Sequence, residues 1–67
     1  MRSQDPTEYG VVLEALPGLQ FKVELHDGKT IRCYLAGKMK MNYIRVLAGD
    51  RVQVIVSGEL GRITRRL

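Results

Sequence analysis

Cysteine and histidine are nearly absent from this 67-residue sequence, which contains one of each, Cys33 and His26. A single cysteine cannot form a disulfide within the chain, and the two residues offer no Cys/His cluster for a metal site. Cys33 alternates with apolar residues, as a small core residue does. We therefore expect neither a metal nor another cofactor.

Long apolar runs are also missing from the sequence. No segment approaches the length needed to span a bilayer, and residues 1–8 lack the apolar core of a signal peptide. We expect a cytoplasmic protein without membrane contact, in which residues 1–8 form a mobile polar tail and residues 9–67 form one domain.

The short length and the lack of catalytic motifs argue against an enzyme. A chain of this size buries only about 60% of the surface that its unfolded form exposes, so a deep active-site cleft is not expected. The sequence has no nucleophile with a base, no phosphate-binding glycine loop and no paired-carboxylate site. The obvious carboxylates, Asp27 and Asp50, both fall in predicted turns. We therefore expect binding rather than catalysis.

Acidic residues are scarce in the second part of the chain. Residues 1–27 contain two basic and five acidic side chains, and residues 28–67 contain nine and two, which gives net charges of −3 and +7. This asymmetry predicts that the C-terminal part faces a polyanion. The alternative is a solvated basic face that serves solubility.

The apolar residues that are present alternate with polar ones over five short stretches, which predicts five strands. Strong turn residues separate the first two strands at 17–18 and the last two at 57–59. A longer connection lies between the third and fourth strands. The predicted strands cover residues 9–16, 19–25, 30–35, 51–56 and 60–66.

The second and third predicted strands form a hairpin whose register follows from their apolar faces. A three-residue loop at 26–28, with its glycine in the left-handed conformation, sets Val23 opposite Ile31. The same loop sets Phe21 opposite Cys33. We predict this register, because burying a whole apolar face outweighs any preference between turn types.

The outer face of this hairpin contains three candidate ligand-binding side chains. Lys22 lies opposite Arg32, and like charges in this position are mildly destabilising unless an anion lies over them. Tyr34 lies beside them and offers a ring on which a base can stack. Two interpretations stay open: a nucleic-acid contact, or two long side chains extended into water with Tyr34 covering the sheet.

The connection after the third strand, residues 37–47, fits neither a strand nor an amphipathic helix. Two lysines and an arginine, Lys38, Lys40 and Arg45, are spaced among methionine, asparagine and tyrosine residues. We predict a short helical or irregular segment there. Its mixture of residues suits a surface that binds a flat anionic ligand, with Arg45 stacking on a base.

The apolar residues of this connection have a different predicted role. Met39 is expected to fill the end of the barrel, because methionine packs well into irregular gaps. Tyr43, Ile44 and Leu47 are expected to anchor the segment to the strands. Met41 has no assigned role.

Five strands with a long connection after the third match an all-β, five-stranded Greek-key barrel of the oligonucleotide/oligosaccharide-binding kind, the OB-fold. The pattern alone does not exclude an SH3-like barrel. In many OB-folds the loops after the first and fourth strands help hold the ligand, but here both are short. The binding role then shifts to the connection after the third strand.

Four segments of the sequence closely resemble bacterial translation initiation factor one: residues 12–17, 21–25, 37–40 and 42–52. The resemblance implies a barrel that binds the small ribosomal subunit at the aminoacyl-tRNA site. It also implies contacts with ribosomal RNA and a neighbouring ribosomal protein, and cooperation with the other two initiation factors. We expect a monomer that acts by occupying the site.

The resemblance also implies which residues contact RNA. The basic positions of the family fall on Lys38, Lys40 and Arg45, and at the C-terminus on Arg62 and Arg65, beside which we place Arg66. The sequence departs from the family pattern at four places: Met41 replaces a basic residue, Tyr34 replaces a frequent histidine, the loop at 57–60 is shorter, and an aromatic residue near Thr64 is missing.

Two other classes of function are compatible with a small barrel. A general single-stranded RNA chaperone of the cold-shock type needs aromatic platforms on the second and third strands, but only Tyr34 is suitably placed, because Phe21 points inward. A protein-interaction barrel predicts an exposed apolar patch, whereas the predicted outward positions are mostly polar or basic.

Overall fold

The computed structural model describes residues 7–41 and 45–67. In these residues the chain forms five strands and one short helix, α1, which lies between the third and fourth strands. Their bounds are β1 Thr7–Leu16, β2 Gln20–Leu25, β3 Thr30–Leu35, α1 Gly37–Met41, β4 Arg51–Ser57 and β5 Leu60–Arg66.

The strands close into a barrel in the order β1-β2-β3-β5-β4. The β3–β5 pair is parallel, and every other neighbouring pair is antiparallel. A parallel neighbour requires a crossover, and the connection that contains α1 together with β4 provides it. The predicted five-stranded OB-fold with a short helical segment after the third strand is confirmed.

The hairpin of β2 and β3 has the predicted register. Phe21 lies opposite Cys33, and Val23 lies opposite Ile31. Gly28 in the loop has φ +94°, a conformation that favours glycine because it has no Cβ. The loop has the expected length, because this length places the apolar side chains of the two strands opposite each other.

The first turn differs from the prediction. Leu16 pairs with Gln20, so residues 17–19 form the turn and Leu19 does not belong to β2. Leu19 has φ +58° and is 58% exposed, whereas strand alternation placed it in the core. The prediction was wrong because three residues close this turn, and the left-handed backbone at Leu19 takes its side chain out of the alternation.

Two strand ends also differ from the prediction. β1 begins at Thr7 rather than Tyr9, because Thr7 pairs with Ile55 of β4. The remaining predicted tail, residues 1–6, lies outside the described residues. The β4–β5 turn is shorter than predicted, because Ser57 pairs with Leu60 and leaves only Gly58 and Glu59 between the strands.

The core fills the barrel and extends to one end of it. Most of its side chains come from alternate strand positions, while Met39 comes from α1 and Val46 from the segment before β4. Burial raises the pKa of the Cys33 thiol to about 11, so the thiol stays neutral at physiological pH. The core consists of Val12, Phe21, Val23, Leu25, Cys33, Leu35, Met39, Val46, Val52, Val54 and Ile63.

Gly10 of β1 has no room for a side chain beside β2. A Cβ atom there would lie 2.7 Å from the backbone oxygen of Glu24 and 2.7 Å from a methyl group of Val23. The backbone oxygen belongs to a paired strand and cannot move without disturbing the sheet. Glycine at this position therefore allows β1 to pair with both β2 and β4.

We expect Gly10→Ala to lower the free energy of unfolding by about 1 to 3 kcal/mol, as overpacking of a core does. Denaturant unfolding measures the change. Gly37→Ala is the matched control, because no neighbouring atom lies within 4 Å of a Cβ there and its φ is not positive. Equal stability of the two variants would contradict the steric argument.

Candidate nucleic-acid interface

The short helix α1 presents two lysines at the surface because the methionine between them is buried. Met39 is 1% exposed, and residues one position away on a helix point in other directions. Lys38 and Lys40 are therefore exposed. The Lys40 N–H donates to the carbonyl of Ala36 (3.2 Å). The N–H of Ala36 in turn donates to the carbonyl of Ile63 in β5 (2.9 Å). The predicted role of Met39 is confirmed.

The segment after the helix alternates between the surface and the core. Arg45 is exposed, Val46 is buried, and Leu47 is 54% exposed. The prediction that Leu47 anchors the connection was wrong, because Val46 occupies the core position beside it. Tyr43 and Ile44, the other predicted anchors, lie outside the described residues.

An apolar groove of about 440 Å³ lies between the first turn and this connection. The basic residues Lys40 and Arg45 are among the residues that line it. An apolar surface beside two cations suits a flat base with its phosphate. The other lining residues are Leu19, Phe21, Leu35, Met39 and Val46.

Leu19 is a residue of this groove that strand alternation did not predict. The alternation assigned its side chain to the core, which left it without a predicted surface role. The Pro17-Gly18 pair is the signal that could have found it, since a turn that extends by one residue exposes the next side chain.

The outer face of β2 and β3 continues onto β5. Lys22 lies opposite Arg32, as predicted, and the parallel pairing of β3 with β5 sets Tyr34 opposite Arg62. Tyr34 and Arg62 both line a shallow depression of about 190 Å³. The fold thus brings a C-terminal arginine beside Tyr34, although the two residues lie far apart in the sequence.

Lys22 has an acidic neighbour that the hairpin alone did not reveal. On its β1 side it lies opposite Glu14, and its Nζ is 3.7 Å from Glu14 Oε1. Lys22 therefore lies between an acidic residue, Glu14, and a basic residue, Arg32. An exposed ion pair of this kind is weak, but it lowers the positive charge that Lys22 offers to an anion.

The C-terminal arginines occupy different surroundings. Arg65 is exposed and lies opposite Gln53 of β4. The Nη1 of Arg66 instead donates to the backbone oxygen of Arg45 (3.0 Å) and lies 4.0 Å from Asp50 Oδ2. Arg62 is part of the sheet face with Tyr34, so the three arginines do not form one cluster.

The outer face of β1 is apolar, contrary to the expectation of a mostly polar or basic surface. Tyr9, Val11 and Leu13 are exposed in alternate positions along the strand. Val11 lies between Glu24 of β2 and Arg51 of β4. In the strand order, β1 lies across the barrel from the β3–β5 pair. The apolar face and the basic face are therefore on different sides.

Residues 7–41 and 45–67 contain neither a metal-binding cluster nor a membrane-spanning helix. No group of three or more His, Cys, Asp or Glu side chains in these ranges is placed to hold a metal ion. No helix in them is long and apolar enough to cross a membrane. These residues have three notable surfaces. They are the basic connection after β3 with Lys38, Lys40 and Arg45, the sheet face formed by the outer sides of β2, β3 and β5, and the apolar face of β1.

Exposed basic residues on the connection after β3 and on the outer face of β2, β3 and β5 are compatible with a barrel that binds RNA. A family described as translation initiation factor 1A / IF-1 matches residues 1–67, the whole chain. The chain belongs to this family. Membership in the IF-1 family identifies the chain as a translation initiation factor and implies association with the ribosome.

Two solved structures resemble the barrel. The solution structure of translation initiation factor IF-1 from the Wolbachia endosymbiont strain TRS of Brugia malayi has a TM-score of 0.80 and 36% identity, covering 97% of this chain and 80% of that chain. The crystal structure of YjeQ from Thermotoga maritima has a TM-score of 0.79 and 26% identity, covering 92% of this chain and 23% of that chain. The same barrel thus occurs in an IF-1 protein of similar length and as a part of a longer protein.

We expect Met39→Ala to lower the free energy of unfolding by about 2 to 5 kcal/mol, because it leaves a cavity at the barrel end. Thermal or denaturant unfolding measures the loss. Met41→Ala is the matched control, since Met41 is 81% exposed and should change stability by no more than about 0.5 kcal/mol. A Met39 variant as stable as the Met41 variant would show that this end of the barrel does not need the side chain.

Proposed function

We propose that this IF-1 family member binds the small ribosomal subunit at the aminoacyl-tRNA site and acts by occupying it. The observation that supports this most is the connection after β3: Lys38, Lys40 and Arg45 are exposed, and Lys40 and Arg45 line an apolar groove of the barrel. The protein blocks premature entry of tRNA while it assists the other two initiation factors. No bond is made or broken, and it works in the cytoplasm as a monomer.

The lysines of α1 supply contacts to phosphates. Lys38 and Lys40 flank the buried Met39, so their main chain is fixed to the barrel while their side chains extend from it. Each contact with a phosphate releases a counterion, so the affinity depends on salt. Burial of one residue thus places two positive charges toward the RNA.

The groove beside the helix receives a base that has left its helical stack. Its apolar surface accepts the ring, and Arg45 provides a planar cation that stacks on it. Lys40 lies close enough along the same groove to meet the adjoining phosphate. This combination favours unstacked bases over regular duplex, whose bases are not accessible in this way.

The sheet face forms a second RNA contact. The RNA-binding domain includes all of β1, which begins at Thr7 rather than at residue 9, and extends to residue 67. Arg32, Tyr34 and Arg62 lie on neighbouring strands, and Arg65 follows on β5. Lys22 belongs to the same face, but its ion pair with Glu14 makes it the weaker contact. A general RNA chaperone is less well supported, because Phe21 is buried and Tyr34 remains as the exposed aromatic residue of β2 and β3.

The apolar face of β1 contacts a protein of the small subunit. Tyr9, Val11 and Leu13 offer apolar contact area, and Glu24 and Arg51 on the two sides of Val11 favour a partner with charged side chains next to an apolar one. RNA is the less suitable occupant, because both charged side chains of β1, Glu8 and Glu14, are acidic. The two sides of the barrel therefore contact different components of the same subunit.

The double variant Lys38→Ala/Lys40→Ala should bind isolated small subunits less tightly than the wild type. The slope of log K against log salt should fall by about 0.7 to 0.9 for each phosphate that is no longer neutralised. Titrations at several salt concentrations measure both quantities. Lys29→Ala, at the turn between β2 and β3, removes a positive charge outside the proposed contacts and serves as control, with no change expected in affinity or slope. If the two variants behave alike, the lysines of α1 are not the site.

A photoreactive p-benzoylphenylalanine in place of Tyr9 should cross-link to a protein when the chain is bound to purified small subunits. The same probe in place of Met41, on the helix, should cross-link to ribosomal RNA. Digestion with nuclease or protease before electrophoresis identifies the partner. A Tyr9 probe that reacts with RNA, or stays unreacted while the Met41 probe reacts, would refute the protein contact.

A further inference from the structure

Among the described residues, the side chain of Arg66 contacts the segment that precedes β4. Its Nη1 donates a hydrogen bond to the backbone oxygen of Arg45 (3.0 Å) and lies 4.0 Å from Asp50 Oδ2. Residues 45–50 form the presenting segment, which takes this name because it carries Arg45. The side chain of Arg66 therefore links the end of β5 to both ends of the presenting segment.

Asp50 stabilises the turn within the presenting segment. Its Oδ2 accepts a hydrogen bond from the Leu47 N–H (2.8 Å), and its own N–H donates to the Leu47 carbonyl (3.0 Å). Gly49 between them has φ +94°. A carboxylate near a surface that binds RNA would repel phosphates. The hydrogen bond that Asp50 accepts from the Leu47 N–H gives this carboxylate a structural role in the turn.

The two ends of the presenting segment are held by different means. At its far end, the Gly49 N–H donates to the Val12 carbonyl (2.7 Å), and the Val12 N–H donates to the Asp50 carbonyl (2.9 Å). At its near end, Val46 is buried and the carbonyl of Arg45 accepts from Arg66. Backbone pairing thus fixes the far end, whereas a side chain of β5 fixes the residue that faces the groove.

From these contacts we infer that Arg66 and Asp50 are positioning residues for Arg45. They hold the backbone of the presenting segment in the shape that presents Arg45 at the groove, and they raise RNA affinity without contacting RNA. A segment ordered before binding loses less conformational entropy when the ligand arrives. This inference rests on the proposed binding to the small subunit and changes the role that the sequence predicted for Arg66.

Salt dependence separates positioning from a phosphate contact. Removal of a phosphate contact lowers the slope of log K against log salt by about 0.7 to 0.9, whereas loss of positioning lowers the affinity at an unchanged slope. Asp50 gives a second criterion. Removing a negative charge near bound RNA should strengthen binding if Asp50 acts only through its charge, but should weaken binding if it orders the presenting segment.

The experiment measures binding of purified small subunits by Arg66→Gln and Asp50→Asn at several salt concentrations. Each variant should bind about 3- to 10-fold more weakly, the range expected when one hydrogen bond is removed, at an unchanged slope. In a chain that already carries Arg45→Ala, neither substitution should weaken binding further. Arg66→Lys should restore part of the affinity, because lysine reaches farther than glutamine towards the same carbonyl and keeps the positive charge beside Asp50.

Arg65→Gln is the matched control, since it removes one positive charge from the neighbouring position of β5. It should lower the slope, unlike Arg66→Gln. Amide exchange of the free protein gives a readout that needs no ribosome: the Leu47 N–H should exchange faster in Asp50→Asn, while core amides of β2 should not change.

The inference is overturned if Arg66→Gln lowers the salt slope and adds fully to Arg45→Ala, because Arg66 then contacts phosphate. It is also overturned if Asp50→Asn binds as tightly as the wild type or more tightly. Failure of the proposed function looks different, because the wild-type chain itself would then not bind small subunits. Tight wild-type binding with unaffected variants refutes the positioning role alone.

Discussion

Burial of Met39 at the end of the barrel is the interaction on which the candidate interface depends. The connection from β3 to β4 has to pass this end, and a side chain from it fills the space between the strands. Once Met39 points inward, its neighbours Lys38 and Lys40 must point outward. Stability and charge placement are therefore consequences of the same side chain.

The closed strand order extends this effect to the rest of the surface. Because β5 pairs in parallel with β3, Arg62 comes to lie beside Tyr34, although the two residues are distant in the sequence. The same strand ends beside the presenting segment, where Arg66 contacts it. A single C-terminal strand thus joins the sheet face to the connection.

Local patterns predicted the strands, the register of the second hairpin and the burial of Met39, since each depends on alternation or on the facing of neighbouring strands. Leu19 and Leu47 were misplaced for a common reason. Leu19 is exposed because Leu16 pairs with Gln20 and leaves Leu19 in the turn, and Leu47 is exposed because Val46 takes the core position. In both cases the exposure of the side chain depends on its neighbours and not on its own hydrophobicity.

The contacts of charged side chains were the least predictable part of the site. Lys22 looked unpaired until β1 placed Glu14 beside it, and Arg66 looked like its neighbours until the fold brought it to the carbonyl of Arg45. The first contact depends on the register of β1 with β2, which is irregular between Val12 and Glu14, and the second joins residues 21 positions apart in the sequence. Sequence composition identified a basic surface but could not distinguish charges available to a ligand from charges already engaged.

Closure of the barrel has a further consequence for how this molecule meets others. Each of the five described strands pairs with two neighbours, so none of them is the edge strand of an open sheet. Association through their paired parts then uses side chains, without added backbone ladders. Such contacts form and break without rearranging the sheet.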